Sequence, residues 1–204
     1  PCIDPNATPE TQALAQRLRA LAQEHVLFGH QNTNIYGVNW VEKQHYSDVY
    51  AVTGSFPAVY GYDFHGFLPP PAREDRPERR FEDYVRWSRW AIGKGAMVTF
   101  SWHHFNPVTG KGFYDTTPAV STILPGGENH ADYRLILQEI ARFCHEIAPY
   151  PIVFRPFHEH NGDWFWWGKG HCSEEDYIAL WRFTVDYLRD ECEVHNLLYA
   201  FSPD

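Results

Sequence analysis

This chain of 204 residues has little of what marks several common protein classes. Lysine and arginine number 17 against 26 aspartate and glutamate, which gives a formal net charge of −9. That balance argues against nucleic acid or an anionic membrane as a main partner. No apolar run approaches the roughly 20 residues that a membrane-spanning helix needs. A Gly-x-Gly-x-x-Gly or Walker motif is also missing, so a nucleotide-binding sheet is not indicated.

Cysteine is scarce as well. The four cysteines form no Cys-x-x-Cys pair, so a structural zinc site is not expected. They are compatible with up to two disulfides in an oxidising compartment or with buried thiols, and their spacing leaves both open. We expect no metal and no other cofactor. The cysteines are Cys2, Cys144, Cys172 and Cys192.

Aromatic side chains, in contrast, make up 17% of the residues. The densest cluster lies at residues 155–168, which read RPFHEHNGDWFWWG, so that Glu159 is soon followed by three tryptophans and a phenylalanine. Sugars present polar edges and apolar C–H faces, and they stack on indole rings while a carboxylic acid reaches the glycosidic oxygen. Because so much aromatic surface is hard to bury in a loop, we interpret the cluster as a carbohydrate-binding cleft rather than as loop packing.

Strand and helix signals alternate along the chain. Strands are predicted at residues 26–28, 58–63, 96–101, 152–154 and 197–201. Five helices are predicted: one that begins after a cap at Thr8, one at about 40–53, one from Pro77 to about Gly93, one at about 132–147 and one that begins after a cap at Ser173. A rigid turn is predicted at 68–71. This order predicts right-handed βαβ units and a mostly parallel sheet.

Polar residues follow the end of every predicted strand. In a β/α barrel these positions meet on the C-terminal face, although a doubly wound sheet also gathers them at one edge. Five units in 204 residues average about 41 residues each, so eight would need roughly 330. We therefore expect residues 1–204 to be the N-terminal part, about five βα units, of a single catalytic (β/α)8 (TIM) barrel whose remainder is not in this sequence. The polar residues are His30, Asp63, His103, Glu159 and Asp204.

The chain resembles glycoside hydrolase family 26, chiefly β-mannanases. The resemblance is carried by residues 29–31 (GHQ), 57–61 (PAVYG), 101–107 (SWHHFNP) and 155–168, with the tail at 199–204 similar to the family's fifth strand. It implies an α/β barrel and retaining endo-hydrolysis of β-1,4-mannan or galactomannan by two glutamates. Such a protein is expected to be a monomer that acts outside the cell or at its surface, with a signal segment absent from this sequence.

The resemblance also implies roles for individual residues. Glu159 matches the general acid/base of the family. His103 and His158 match histidines that contact the substrate, Trp164 matches an aromatic platform on the leaving-group side, and Tyr114 matches, more loosely, an aromatic residue on the nonreducing side. The family's nucleophile is a glutamate after the seventh strand, which matches no residue here and is therefore expected beyond residue 204.

Other interpretations remain open. A β-1,3-xylanase or a mixed-linkage β-glucanase of the same family would use the same acid/base. A non-catalytic sugar-binding barrel would keep Trp164 and Trp167 as platforms and need no nucleophile. A metal-dependent hydrolase would use the histidines near the strand ends, but the triplet at 158–160 lacks the His-Glu-x-x-His spacing. We expect structural roles for four residues: Asp63, His104, His160 and His171.

Overall fold

The computed structural model describes residues 2–68 and 80–204. Five strands form one sheet in which each strand pairs in parallel with the next along the chain. Adjacent parallel strands in sequential order, joined by helical crossovers, are typical of a β/α barrel, whereas a doubly wound sheet reverses its strand order partway. The predicted fold class is confirmed, and the chain forms an arc of five barrel strands. They are β1 Gly29–Gln31, β2 Val59–Asp63, β3 Met97–Ser101, β4 Ile152–Arg155 and β5 Leu197–Tyr199.

Helices connect these strands. The first begins as predicted, with the Thr8 hydroxyl accepting a hydrogen bond from the Thr11 backbone N–H at 3.2 Å. The last begins at the predicted cap, where the Ser173 hydroxyl accepts from the Asp176 N–H at 3.0 Å. Within the described part of the chain, no helix combines the length and apolarity needed to cross a membrane. The helices are α1 Pro9–Leu21, α2 Asp48–Thr53, α3 Phe81–Gly93, α4 Val120–Ile123, α5 His130–Ile147 and α6 Glu174–Asp186, with a 3₁₀ turn at Phe64–Gly66 and a π-helical turn at Tyr187–Glu191.

Aromatic packing joins the sheet to the helices that cover it. Phe100 of β3 stacks on Phe64 at 4.3 Å between ring centroids, and Phe143 of α5 packs against Phe100 at 5.0 Å. All three side chains are fully buried, as is Phe154 of β4. Rings that interlock in this way resist displacement, so the central strands and their C-terminal ends form a rigid base.

The prediction for the first strand was wrong in its position. Sheet pairing begins only at Gly29, which lies opposite Val59, while Val26 is 97% exposed. The Phe28 carbonyl already accepts hydrogen bonds from the backbone N–H groups of Ala58 and Val59. The apolar run at 26–28 therefore leads into the sheet without belonging to it.

The second predicted helix begins later than expected. Asn39, Glu42 and His45 have φ of 62°, 52° and 54°, and a right-handed helix excludes such values. Residues 36–37 and 40–41 instead form a short antiparallel pair. Asp48 holds it by accepting hydrogen bonds from the Val38 N–H at 2.7 Å and from Trp40 Nε1 at 2.6 Å. Only α2 remains helical, and it ends at Thr53, the predicted end, with Gly54 following in the left-handed conformation.

Two further predictions concern other parts of the chain. The turn at 69–71 and the helix start at Pro77 lie outside the described residues, while α3 agrees with the rest of that predicted helix. The four cysteines are free thiols, so the alternative of two disulfides is not what the structure contains. Cys144 is fully buried in α5, and this burial raises the pKa of its thiol.

The N-terminal segment is attached to the residues before β5. The Asp4 side chain is buried, and its Oδ2 lies 2.9 Å from His195 Nδ1. Its Oδ1 accepts a hydrogen bond from the Asn6 N–H at 2.8 Å. The Thr8 N–H in turn donates to the His195 carbonyl at 2.9 Å. These bonds attach the segment before α1 to the residues just before β5, so they connect the two ends of the arc.

We predict that Asp4→Ala destabilises the full-length polypeptide by about 1.5–3 kcal/mol, the range for hydrogen bonds to charged groups, because His195 and Asn6 lose their acceptor. Urea unfolding measures this change. Glu24→Ala, at an exposed position, is the control and should change the free energy of unfolding by less than about 0.5 kcal/mol. An equal loss in both variants would contradict the proposed attachment.

Candidate active site

The Asp63 carboxylate connects the ends of β2 and β3. Its Oδ2 accepts hydrogen bonds from Ser101 Oγ at 2.6 Å and from His103 Nδ1 at 2.5 Å. Its Oδ1 accepts from the backbone N–H of His103 at 3.1 Å and of His65 at 2.8 Å. Burial alone would raise the pKa of this carboxyl, but the bonds from His103 and Ser101 outweigh burial and lower it. Asp63 is thus an ionised structural anchor, as predicted.

Two histidines continue from this anchor towards β4. His158 Nε2 lies 3.3 Å from His103 Nε2, and burial lowers the pKa of His158 to about 4. Since His103 Nδ1 donates to Asp63, a neutral His103 offers Nε2 as an acceptor, and we assign the connecting proton to His158 Nε2. His158 Nδ1 is buried and makes no hydrogen bond. In this assignment Nδ1 carries no proton, and burying an acceptor without a partner costs less free energy than burying an N–H without one. With this assignment, one chain of hydrogen bonds runs from Asp63 through His103 to His158.

Glu159 lies in a strained turn directly after β4. Phe157 and Glu159 have φ of 48° and 55°, a left-handed conformation that is costly for residues with a Cβ. Three hydrogen bonds hold this turn. Tyr177 Oη donates to the Phe157 carbonyl at 3.1 Å, Trp167 Nε1 donates to the His158 carbonyl at 2.9 Å, and the Glu159 N–H donates to the Ser202 carbonyl at 2.7 Å. The Glu159 carboxylate is thus oriented by three parts of the chain: α6, the aromatic segment and the residues after β5.

The Glu159 carboxylate is partly exposed and carries one indole contact. Trp164 Nε1 donates to Glu159 Oε2 at 3.0 Å. The half-buried Trp164 ring lies directly over Gly162, where any Cβ would overlap the indole carbon Cη2. Glycine at 162 is therefore required for the ring to reach the carboxylate. One oxygen of Glu159 is fixed by this bond, and the other has no protein donor among the described residues.

The interpretation of the aromatic cluster as cleft surface was wrong for three of its four rings. Phe165, Trp166 and Trp167 are only 2%, 0% and 1% exposed. Trp166 Nε1 donates to the His104 carbonyl at 2.9 Å, and Phe165 stacks on Trp167 at 4.5 Å. These rings pack the loop, so Trp167 is not an available platform. The loop is able to bury them because it folds back over the ends of β3 and β4.

Tyr114 lies beside the same site and is 67% exposed. Its ring stacks on Phe165 at 5.5 Å with an interplanar angle of 23°, and neighbouring Phe113 packs on His103 at 4.6 Å. The long loop between β3 and α5 that carries both residues is ordered around fully buried Asn106. The Asn106 side chain donates to the carbonyls of Asp115 and Thr117, both at 2.8 Å. This loop also contains α4, which the sequence analysis did not predict.

The structure joins Asp63, His103 and His158 by direct contacts and Trp164 to Glu159 by a hydrogen bond, and the two groups meet where His158 precedes Glu159 in the chain. Exposed His30 makes none of these contacts. The Asp204 backbone pairs with the Asn161 side chain through bonds of 2.8 and 3.2 Å.

The three histidines expected to be structural pack or bond locally. His104 is buried and stacks on Trp102 at 4.3 Å, and His160 lies against Phe201 at 4.3 Å. His171 Nε2 lies 2.7 Å from the Asp163 carbonyl. Among residues 2–68 and 80–204, no group of three or more His, Cys, Asp or Glu side chains is placed to hold a metal ion.

Sequence reasoning missed the residues that support the site. Tyr177 and Ser202 hold the turn at Glu159, and Asn106 holds the loop of Tyr114. Asn106 precedes Pro107, a pair typical of turns, and this signal alone pointed to a structured loop. Tyr177 reads as an ordinary apolar position of α6, and Ser202 accepts its bond through the backbone carbonyl, so its side chain gives no signal.

Comparison with known proteins shows which sequences this chain resembles. The family model described as glycosyl hydrolase family 26 matches residues 3–204. A mannan endo-1,4-beta-mannosidase of Bifidobacterium adolescentis is 41% identical over 209 residues, which covers 98% of this chain and 21% of that protein. The enzyme of the same name from Bacillus subtilis strain 168 is 26% identical, with 99% and 59% covered.

Solved structures are similar over the whole described fold. The catalytic domain of an endo-beta-1,4-mannanase of Bacillus sp. JAMB-750 gives a TM-score of 0.91 at 36% identity, covering 99% of this chain and 56% of that one. A modular endo-beta-1,4-mannanase from Cellulomonas fimi gives 0.91 at 39% identity, with 99% and 47% covered. The chain thus spans about half the length of these structures.

We predict that Tyr177→Phe lowers the free energy of unfolding of the full-length polypeptide by about 1 kcal/mol, because the Phe157 carbonyl loses its donor. Urea unfolding measures the loss. Tyr150→Phe, at an exposed tyrosine, is the matched control and should leave the free energy nearly unchanged. If both variants behave alike, the Tyr177 hydroxyl does not stabilise the turn.

The stability of the protein should fall as the pH falls from 6.5 towards 4. Burial lowers the pKa of His104 to about 3 and of His158 to about 4, from an ordinary 6.5, so the unfolded state binds protons in this window that the folded state does not. Each histidine contributes a slope of up to about 1.4 kcal/mol per pH unit. Urea unfolding at several pH values measures this slope.

His104→Gln should make the pH slope shallower, because glutamine does not titrate, while His25→Gln, at an exposed position, serves as the control. An unchanged slope in the His104→Gln variant would show that the folded protein protonates His104 as readily as the unfolded chain does.

Proposed function

Because the chain belongs to glycosyl hydrolase family 26, we propose that it is the N-terminal part of a retaining endo-β-1,4-mannanase. The names of its relatives support β-1,4-mannan as the substrate, and we include galactomannan in the proposal because it has the same backbone. The observation that carries the assignment in this chain is the fixed, partly exposed carboxylate of Glu159, held by a strained turn and by Trp164 Nε1 at 3.0 Å.

Glu159 is the proposed general acid/base. In the first step its carboxylic acid gives a proton to the glycosidic oxygen, the bond from that oxygen to the anomeric carbon breaks, and a second carboxylate forms a bond to the anomeric carbon. In the second step the Glu159 carboxylate takes a proton from water, whose oxygen replaces the second carboxylate. The sugar configuration is retained because the anomeric carbon is inverted twice.

The second carboxylate is proposed to come from chain beyond Asp204. Asp63 is unsuited to this role, since both of its oxygens already accept hydrogen bonds from His103 and from Ser101 or His65. Retaining enzymes place the two carboxyl groups only about 5–5.5 Å apart, so the partner must face Glu159 across the cleft. The similar mannanase structures, of which this chain spans 47–56%, supply enough further chain for this partner.

The remaining site residues are proposed to bind the sugar. His103 and His158 line the reactive subsite, and their mutual contact at 3.3 Å holds both rings in one orientation. Trp164 supports the leaving-group sugar, and Tyr114 offers an exposed ring on the nonreducing side. Trp167 has no such role, because it is buried.

The setting of the enzyme follows from its substrate. A polysaccharide is too large to enter a cell, so we propose that the protein acts outside the cell or at its surface. We propose that it acts as a monomer.

The alternative of a sugar-binding protein without catalysis is disfavoured by the conformational strain at Glu159. A turn with two left-handed residues costs about 1–3 kcal/mol per residue, and a protein that only binds sugar does not require it.

We predict that Glu159→Gln in the full-length polypeptide lowers kcat on unactivated β-1,4-mannan about 10²–10⁴-fold, the usual contribution of a general acid/base. An aryl β-mannoside with an acidic leaving group needs no proton in the first step and should still release its aryl group in a burst. Reducing-sugar release and stopped-flow absorbance measure the two effects.

Glu175→Gln on the exposed face of α6 is the matched control and should behave like the unmodified polypeptide. Near-normal turnover of polymer by Glu159→Gln would disprove its catalytic role. Faster cleavage of β-1,3-xylan or mixed-linkage β-glucan than of mannan by the unmodified polypeptide would favour the other substrates of the family.

A further inference from the structure

A cavity lies on the outer wall of the barrel arc, apart from the site around Glu159. Its volume is about 360 Å³, within the range of roughly 300–1,000 Å³ typical of ligand pockets. One wall is the loop after β1 and the other is α3. None of the residues that bond to Glu159, His103 or Asp63 lines it. The lining residues are Asn34, Glu42, Lys43, Gln44, His45, Arg86, Trp87 and Trp90.

The apolar surface of the cavity comes from two indole rings of α3, of which Trp87 is buried and only Trp90 presents surface to a ligand. Trp90 is half-buried and donates through Nε1 to His45 Nδ1 at 3.0 Å. Phe56 and Tyr60 pack edge-on against the Trp90 ring at 5.2 and 5.9 Å. A ring fixed in this way stacks on a ligand without losing further rotamer freedom, which favours binding. Flat, fixed aromatic surface suits the apolar C–H face of a sugar.

The polar side chains around these rings carry both signs of charge and come from the loop after β1 and from α3; together they are called the polar wall. Glu42, Lys43 and Gln44 are consecutive and exposed, and Arg86 is exposed on α3. The loop is fixed where the Glu42 N–H donates to the Ile35 carbonyl at 2.6 Å. Carboxylate, amide and guanidinium groups pair well with adjacent hydroxyls. Because the wall carries both signs of charge and the chain has a net charge of −9, a neutral polyhydroxyl ligand fits better than an anion.

We propose that this cavity is a second carbohydrate-binding site, which holds a segment of neutral β-mannan on the outer wall of the enzyme. The proposal rests on the proposed function for its choice of sugar. Two contacts with one polymer raise retention, because the second contact forms at a high effective concentration once the first exists. The outer site would therefore matter for insoluble mannan and not for short soluble oligosaccharides, which occupy only the cleft.

The test compares two variants of the full-length polypeptide that also carry Glu159→Gln, so that mannan is not degraded during binding. One removes the polar wall (Glu42→Ala, Gln44→Ala and Arg86→Ala). The control removes an exposed ion pair on α5 (Glu139→Ala and Arg142→Ala), and both sets leave the net charge unchanged. Depletion from solution by insoluble linear β-1,4-mannan measures binding.

We expect the wall variant to bind insoluble mannan at least about fivefold more weakly than the control. With Glu159 restored, both should hydrolyse mannotetraose at the rate of the unmodified polypeptide. Equal binding by the two variants, or no retention on the polymer of the polypeptide that carries Glu159→Gln alone, would overturn the proposed outer site. Failure of the unmodified polypeptide to hydrolyse mannotetraose would instead count against the proposed function, whatever the binding result.

Discussion

The ionised carboxylate of Asp63 is the interaction on which the described site depends. It binds the side chain of Ser101 and both the ring and the backbone of His103, so it fixes the end of β3 relative to the end of β2. Through His103 it also orients His158, which immediately precedes Glu159. A buried charge is costly unless it is fully bonded, and here every bond also aligns part of the site. Stability and geometry are therefore supplied by the same contacts.

Glu159 illustrates how a conformation of high energy is maintained. The turn at 157–159 is unfavourable by itself, and the bonds that hold it come from three separate parts of the chain: Tyr177 on α6, Trp167 in the aromatic loop and Ser202 after β5. The three buried rings of the loop offer no surface to a ligand. One of them, Trp167, supplies a supporting bond that is itself buried, where a hydrogen bond is stronger than in water.

The sequence predicted the architecture well and the supporting contacts poorly. Alternating strands and helices, and polar residues after strand ends, are set by local pattern, so the parallel sheet and the gathering of Asp63, His103 and Glu159 could be expected. The start of β1 could not, because pairing with Val59 decides it and the apolar run at 26–28 does not. Burial of Trp167 was missed because it depends on how a loop folds over neighbouring strands, which composition does not report.

The bond from Glu159 to the Ser202 carbonyl also bears on the synthesis of the protein. The neighbouring contact of Asn161 with Asp204 spans 43 positions, so these partners leave the ribosome well after the glutamate does. Domains emerge N-terminal end first, and non-local contacts wait for the later residues. Until β5 and the residues after it have been made, the Glu159 turn lacks one of its three supports. Nascent chains that end before residue 202 should therefore have the central strands in place and a Glu159 turn held by two of its three bonds, so that this turn is completed late in translation.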